Sequence, residues 1–227
     1  MNAIVHLTSR AGADLRDLRS RVAAHGPTGL DAAECLALVL QPTPGVRALD
    51  LSLMLLERFG SMPEVLNAPA AALRQVAPPA VAVKIVLLHD LLRRTLEAPL
   101  RERPVLGAMS LVRDYLRLAL AGKPREEFRV LFLDRRCRLI RDEVMGEGTV
   151  DHAPVYPREV LRRALELDAS GLLLAHNHPG GAPTPSAADV EVTRQVVAGA
   201  RALAITVHDH LLIGESAPVS FRALGLM

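Results

Sequence analysis

Apolar residues recur at helical spacing through the first hundred positions, separated by short breaks rich in proline and glycine. The first predicted helix starts near Leu15 and is ended by Gly26-Pro27. Asp31 and Glu34 have the spacing of a capping box at the start of the second helix. Further helices are predicted over residues 32–40, 46–59, 70–76 and 81–96, with a short one opening at Pro63. Short helices joined by tight turns predict a small all-α bundle.

The period of the apolar positions changes after residue 103, where runs typical of strands begin. Strands are predicted over residues 128–133, 137–144, 172–178 and 205–213, and helices over 110–120, 158–167 and 186–203. This alternation predicts an α/β (α+β) domain with a mixed sheet. Pro99 and Pro104 bracket the polar stretch 101–103, which we interpret as a linker between a helical domain, residues 1–102, and a second domain, residues 103–227.

Composition narrows the class of protein but does not identify its function. Half of the 227 residues are apolar, so a folded globular protein is expected. The formal net charge of +2 is compatible with nucleic-acid binding but does not argue for it. The absence of Trp, with two Tyr and four Phe, disfavours base stacking on aromatic platforms. Two distant cysteines, no signal peptide and no apolar run of about 18 residues predict a cytoplasmic protein with free thiols and no membrane span.

The most informative stretch lies at the end of the third predicted strand. Residues two apart face the same side of a strand, so His176 and His178 present two imidazoles together while Asn177 points away. Ser186 is a natural N-cap, which places Asp189 in the first turn of the following helix. A lone His-x-His pair is common by chance, and Ser186 with Asp189 alone is an ordinary helix start. Jointly, two imidazoles and one carboxylate are suitable zinc ligands, and three protein ligands leave a fourth position for water.

The joint pattern, His-x-His-Pro, six residues, Ser, two residues, Asp, resembles the JAMM motif of the JAB/MPN metallopeptidase-like superfamily. With the segments 150–151, 156–160, 175–179 and 209–214, the chain is similar to the bacterial RadC family from about residue 103 to 227. The resemblance implies a JAB/MPN-like fold, one zinc ion per chain held by His176, His178 and Asp189, and hydrolysis of peptide or isopeptide bonds.

The resemblance also implies a glutamate general base placed before an earlier strand. Glu126 and Glu127 both precede the run 128–133, and the RadC pattern of Glu, one residue and Phe favours Glu126 over Glu127. Both residues are otherwise ordinary solvated charges at a strand start. Ser186 has two alternative roles, helix cap or hydrogen-bond donor to the oxyanion that develops on the attacked carbonyl.

The remaining histidines and cysteines lack metal-ligand spacing. In the run 208–210, Asp beside His is compatible with a carboxylate–imidazole pair that orients a ligand, but we favour the interpretation as locally bonded polar residues. The other candidates that are predicted not to bind metal are His6, His25, His89, His152, Cys35 and Cys137.

The helical half is the part that RadC relatives would use as a helix-hairpin-helix module, which binds DNA phosphates through a Gly-x-Gly turn. The corresponding stretch here, 73–84, has no glycine and carries Pro78-Pro79, which supply no N–H donors. A structural or partner-binding module is therefore expected. Three functions remain open: a zinc metallohydrolase with an unknown peptide or protein substrate, a DNA-repair or recombination factor that binds DNA, and a zinc-stabilised interaction domain without turnover.

Overall fold

A computed structural model of the chain describes residues 15–40, 47–148, 155–179, 184–214 and 217–227. The chain divides into two compact units, Met1–Leu88 and His89–Met227. The predicted division into domains at residues 102 and 103 stays a prediction. Among the described residues, no helix is both long and apolar enough to cross a membrane.

The first unit is helical, as predicted. Its helices are α1 Leu15–His25, α2 Ala32–Leu40, α3 Ala48–Phe59, α4 Met62–Asn67, α5 Ala70–Val76 and the first part of α6 Pro79–Glu102. The capping box before α2 is present, because Asp31 Oδ1 accepts from the Glu34 N–H and Glu34 Oε2 accepts from the Asp31 N–H. The predicted start of α3 at Val46 lies outside the described residues. Buried aliphatic side chains from α2 to α6 form the core of this unit, among them Leu36, Leu55, Val65, Leu73, Val81 and Ile85.

Helix α6 continues through Pro99 to Glu102, so the prediction that the helix stops near Leu96 and gives way to a linker over 101–103 was wrong. A proline in the last turn removes one backbone hydrogen bond, which packing outweighs here. Leu100 is 1% exposed and belongs to the core of the second unit. Arg101 also pairs with Glu97 one turn earlier, which supports the last turn.

The second unit is a mixed five-stranded sheet with helices on both faces, which confirms the predicted fold class. Its elements are a 3-10 turn Val105–Ala108, α7 Met109–Leu120, β1 Glu127–Leu133, β2 Leu139–Glu147, α8 Pro157–Glu166, β3 Gly171–Asn177, α9 Ala187–Ala202, β4 Thr206–Ile213 and β5 Val219–Ser220. The strand order is β2-β1-β3-β4-β5. Strands β3 and β4 are parallel and the other neighbours are antiparallel.

Strand β2 begins at Leu139, two residues later than predicted, because Cys137 belongs to the turn. Cys137 has a φ of 56°, outside the extended region. Asp134 holds this turn, since its Oδ1 accepts from the N–H groups of Arg136 and Arg138. The short strand β5 was not predicted.

Side chains alternate between two apolar layers on either face of the sheet. The layer on the α7 face includes Tyr115, Leu116, Leu131, Leu133, Leu173, Ala175, Leu211 and Ile213. The layer on the α8 and α9 face includes Phe128, Val130, Phe132, Val160, Leu172, Leu174, Val196 and Val207. Strand β3 lies between both neighbours and is buried along its whole length. Residues at its carboxyl end are therefore held on a rigid central strand.

Candidate metal centre

The three side chains predicted to bind metal converge where β3 ends and α9 begins. The Nε2 atoms of His176 and His178 are 3.1 Å apart. Asp189 places one carboxylate oxygen 3.4 Å from Nε2 of His176 and the other 3.3 Å from Nε2 of His178. His176 is fully buried, whereas His178 is only partly buried. The site is thus anchored in the core and opens to solvent on the His178 side.

Asp189 is held in place by the helix start. Ser186 is the N-cap of α9, as predicted, and its Oγ accepts from the Asp189 N–H at 3.1 Å. In return, Asp189 Oδ2 accepts from the Ser186 N–H at 2.7 Å, which completes a capping box. Burial favours the neutral carboxyl, but the interaction with His176 and the Ser186 contacts outweigh it and hold the pKa of Asp189 well below its usual range. The carboxylate is ionised and available to a cation.

The donor set and its spacing fit a zinc ion. Ligand atoms about 2.0–2.1 Å from a tetrahedral zinc lie roughly 3.3 Å from one another. The two Nε2 atoms are 3.1 Å apart, and each lies 3.3–3.4 Å from a different oxygen of the Asp189 carboxylate, so the separations are close to that value. Two imidazole nitrogens and a carboxylate oxygen are also the ligand types that catalytic zinc sites use.

Glu126 lies with these ligands. A carboxylate oxygen of Glu126 and the ligand atoms of His176, His178 and Asp189 all lie within 4.8 Å of one another. Glu126 is 5% exposed, so it is not the solvated charge of the alternative interpretation. Alternation along the chain carries Glu126 to the same face of the sheet as Phe128, and Phe128 pairs with His176 on β3.

Glu127 points to the opposite face of the sheet and is occupied there. Its carboxylate pairs with Lys123 and with Arg129. Arg129 in turn pairs with Asp142 at 2.7 Å, and Asp142 accepts a hydrogen bond from the buried Tyr115. Glu127 is therefore part of a structural ion network, and the cluster of metal-capable side chains contains Glu126 instead.

Asn177, between the two histidines, points away from them as predicted, and there it contacts the backbone on both sides of Glu126. Its Oδ1 accepts from the Glu127 N–H at 2.9 Å. Its Nδ2 donates to the Arg125 carbonyl at 3.0 Å. The two backbone partners fix the orientation of the amide, since one can only donate and the other can only accept. Asn177 thus fixes the segment that carries Glu126 to the strand that carries the two imidazoles.

His210 is a second residue whose role the sequence did not reveal. Its Nε2 lies 2.8 Å from Nδ1 of His176, and its Nδ1 lies 2.7 Å from Oγ1 of Thr193. Burial, followed by the neighbouring His176, lowers the pKa of His210 well below its ordinary value. The preferred interpretation of 208–210 as locally bonded polar residues is wrong for His210. It fits Asp209 in part, because Asp209 accepts from the adjacent His210 N–H but also from Ser220 Oγ on β5.

The other histidines and cysteines lie elsewhere. His208 contacts Cys137, with 3.8 Å between Nε2 and Sγ, at the opposite end of the sheet. His89 Nε2 is 3.1 Å from the Leu118 carbonyl, and Cys35 lies in α2. His6 and His152 lie outside the described residues. Within the described part of the chain, only the cluster around His176 brings three or more metal-capable side chains together.

Two matches with known proteins cover this site. The family model described as RadC-like JAB domain matches residues 106–226, which include all four side chains of the cluster. A protein of Rhodobacter capsulatus, named UPF0758 protein, is 46% identical over 213 residues, which are 92% of this chain and 100% of that protein. The second match extends over the helical unit as well.

Proposed function

This chain belongs to the RadC-like JAB family, and we propose that its second unit is a zinc-dependent hydrolase of peptide or isopeptide bonds. The observation that carries the proposal is the convergence of two imidazoles, one ionised carboxylate and a second buried carboxylate at one strand end. JAB relatives with metallohydrolase activity support the same reaction class by analogy.

In this proposal the Nε2 atoms of His176 and His178 and a carboxylate oxygen of Asp189 hold the zinc ion. When bound, zinc lowers the pKa of a coordinated water toward about 7 and polarises the carbonyl of the substrate. His178 and Ser186 lie on the solvent side of the cluster, so the scissile bond would approach from there. The unknown peptide or protein substrate is the expected partner.

Glu126 is the proposed general base. Its carboxylate lies within 4.8 Å of the three ligand atoms, which allows it to reach a water held among them. It would take a proton from the attacking water and hand it to the leaving amine, the two transfers that amide hydrolysis requires. The hydrogen bonds of Asn177 to the backbone before and after Glu126 hold this carboxylate on the metal side of the sheet.

Ser186 serves as a cap and is also proposed as an oxyanion donor. Its Oγ accepts from the Asp189 N–H, so the hydroxyl hydrogen stays available to donate. A donor aimed at the attacked carbonyl oxygen stabilises the negative charge that develops on it. The two roles that the sequence left open are therefore compatible in one side chain.

The test is zinc stoichiometry and peptide hydrolysis in Glu126→Gln, with Glu127→Gln as the matched control. We expect Glu126→Gln to bind one zinc per chain as the wild type does and to lose hydrolysis of a peptide library by about 100-fold or more. Glu127→Gln should keep both, since Glu127 lies on the other face, provided the variant stays folded.

Three results would contradict the proposal. Wild-type protein without zinc after purification in zinc-containing buffer would remove the metal centre. Loss of zinc in Glu126→Gln would make Glu126 a fourth ligand and leave no open position. Zinc binding with no hydrolysis of any library member would favour a zinc-stabilised interaction domain.

DNA binding is not proposed, because Pro78 and Pro79 at the start of α6 offer no N–H groups to phosphate.

A further inference from the structure

We propose that Thr193 and His210 are positioning residues that set the tautomer of His176, so that its Nε2 lone pair faces the metal position before any ion arrives. The inference rests on the metal centre proposed above. It concerns a chain of hydrogen bonds that starts at the backbone of one proposed ligand, Asp189, and ends at the side chain of another, His176.

The direction of donation along this series of hydrogen bonds is fixed at Thr193. The Thr193 hydroxyl donates to the Asp189 carbonyl, with 2.5 Å between the two oxygens. A carbonyl oxygen can only accept, so the single hydroxyl hydrogen of Thr193 is committed to it. The Oγ1 atom is therefore an acceptor for its other neighbour, Nδ1 of His210, at 2.7 Å. His210 must carry its proton on Nδ1.

The same logic fixes His176. His210 is fully buried, with the Phe221 ring stacked on it at 4.3 Å and the Phe128 ring edge-on at 5.3 Å, so it is neutral and has one N–H. With that proton on Nδ1, the Nε2 of His210 accepts. Its neighbour, Nδ1 of His176 at 2.8 Å, must donate. His176 then keeps its Nδ1–H, and Nε2 is the atom that it offers to a cation.

The opposite direction of hydrogen-bond donation would work against metal binding. If His210 carried its proton on Nε2, Nδ1 of His176 would have to accept, and the neutral His176 would carry its proton on Nε2. That proton would point at His178 and Asp189, in the position that the ion needs. The Thr193 hydroxyl excludes this arrangement, because Oγ1 has no second hydrogen to donate to Nδ1 of His210.

The experiment removes only the hydroxyl that sets the direction. Thr193→Val keeps the volume of the side chain and loses the acceptor, whereas Thr193→Ser keeps the hydroxyl. Thr95→Val is a matched control, since the Thr95 hydroxyl also donates to the carbonyl four residues earlier, at 2.8 Å, but is exposed and far along the chain from the ligands.

Two measurements are made on each protein. Nitrogen-15 NMR of labelled histidines in the metal-free protein identifies which ring nitrogen of His176 and His210 is protonated. Competition with a chromophoric chelator gives the zinc dissociation constant. We expect Nδ1–H on both histidines in the wild type and mixed tautomers in Thr193→Val. Zinc affinity should fall by about 10–100-fold in Thr193→Val, as for other partners that orient metal ligands, and by less than about 3-fold in the two other variants.

The outcomes separate this inference from the proposed function. If the wild type binds zinc, and Thr193→Val binds it with the same affinity and shows the same tautomers, the positioning role is overturned and the metal centre stands. A wild type that binds no zinc would sink the metal centre, while the NMR data would still report the tautomers. If Thr193→Val does not fold, the wild-type spectrum decides alone, because an unprotonated Nδ1 on His176 contradicts the chain.

Discussion

Replacing Asn177 with alanine is expected to destabilise the second unit strongly, although the Asn177 side chain makes its hydrogen bonds to the backbone of Glu127 and Arg125 and not to a proposed ligand. The side chain is 3% exposed and makes two hydrogen bonds, to the Glu127 N–H and to the Arg125 carbonyl. Alanine can make neither bond. The Glu127 carboxylate does not replace the amide, because it is already paired with Lys123 and Arg129.

The magnitude follows from the two backbone groups that lose their partner. The Glu127 bond is buried, so the orphaned N–H should cost about 1–3 kcal/mol. The Arg125 bond is partly buried, and water can reach that carbonyl, so its loss should cost roughly 1 kcal/mol or less. The expected sum is about 1–4 kcal/mol, a large share of the ~5–15 kcal/mol that stabilises a typical domain.

Urea unfolding followed by tyrosine fluorescence measures this effect in the full chain. Both tyrosines of the sequence, Tyr115 and Tyr156, lie in the second unit, so the signal reports on that unit. A chelator in the buffer removes the contribution of bound metal to the free energy of unfolding. Gln195→Ala is the control, since it removes an exposed amide that bonds only Glu191 in the same helix, and it should change stability by less than about 0.5 kcal/mol.

A free energy of unfolding for Asn177→Ala within about 0.5 kcal/mol of the wild type would refute the reasoning. It would mean that water forms hydrogen bonds to the Glu127 N–H and the Arg125 carbonyl, so that water reaches the end of β3. Asn177 would then not fix the segment that carries Glu126.

Two further predictions concern stability away from the metal centre. Ala204 follows the end of α9, is exposed and has a φ of 56°, so Ala204→Gly should raise the free energy of unfolding by about 0.5–1 kcal/mol; a lower value would contradict the strain argument. The bidentate pair of Glu143 with Arg163 holds the pKa of Glu143 below its ordinary value of 4.5. The free energy of unfolding of the wild type should therefore exceed that of Glu143→Gln by about 0.5–1 kcal/mol at neutral pH, and this difference should shrink as pH falls below 4.5. A difference that grows on acidification would contradict the prediction.

The sequence predicted the mixed sheet and the three proposed ligands because these depend on local patterns. His176 and His178 share a face by the two-residue period of a strand, and Ser186 with Asp189 form a capping box by helix geometry. The end of α6 depended instead on tertiary packing. Burial of Leu100 keeps the helix going through Pro99, and no local pattern carries that information.

His210 was missed because its direction depends on an irregular step in strand pairing. Leu172 pairs with Val207 and Leu173 with Asp209, so one residue of β4, His208, is left out of the register. Such a bulge reverses the alternation of the following residues. Val207 before the step lies on the α8 and α9 face, and His210 after it lies on that same face, beside His176. Simple alternation along β4 would have separated them.

The metal centre and the start of α9 form one structural unit, because Asp189 reaches His176 by two routes. Its carboxylate faces Nε2 of His176 directly, and its carbonyl reaches Nδ1 of the same ring through Thr193 and His210. Both routes depend on the position of Asp189, which the capping box with Ser186 sets. Any substitution of Ser186 that weakens the cap therefore removes the Ser186 hydroxyl and also disturbs a proposed metal ligand and the hydrogen bonds that set the His176 tautomer. Reduced turnover in such a variant would not by itself measure oxyanion stabilisation, unless zinc affinity and the His176 tautomer were unchanged.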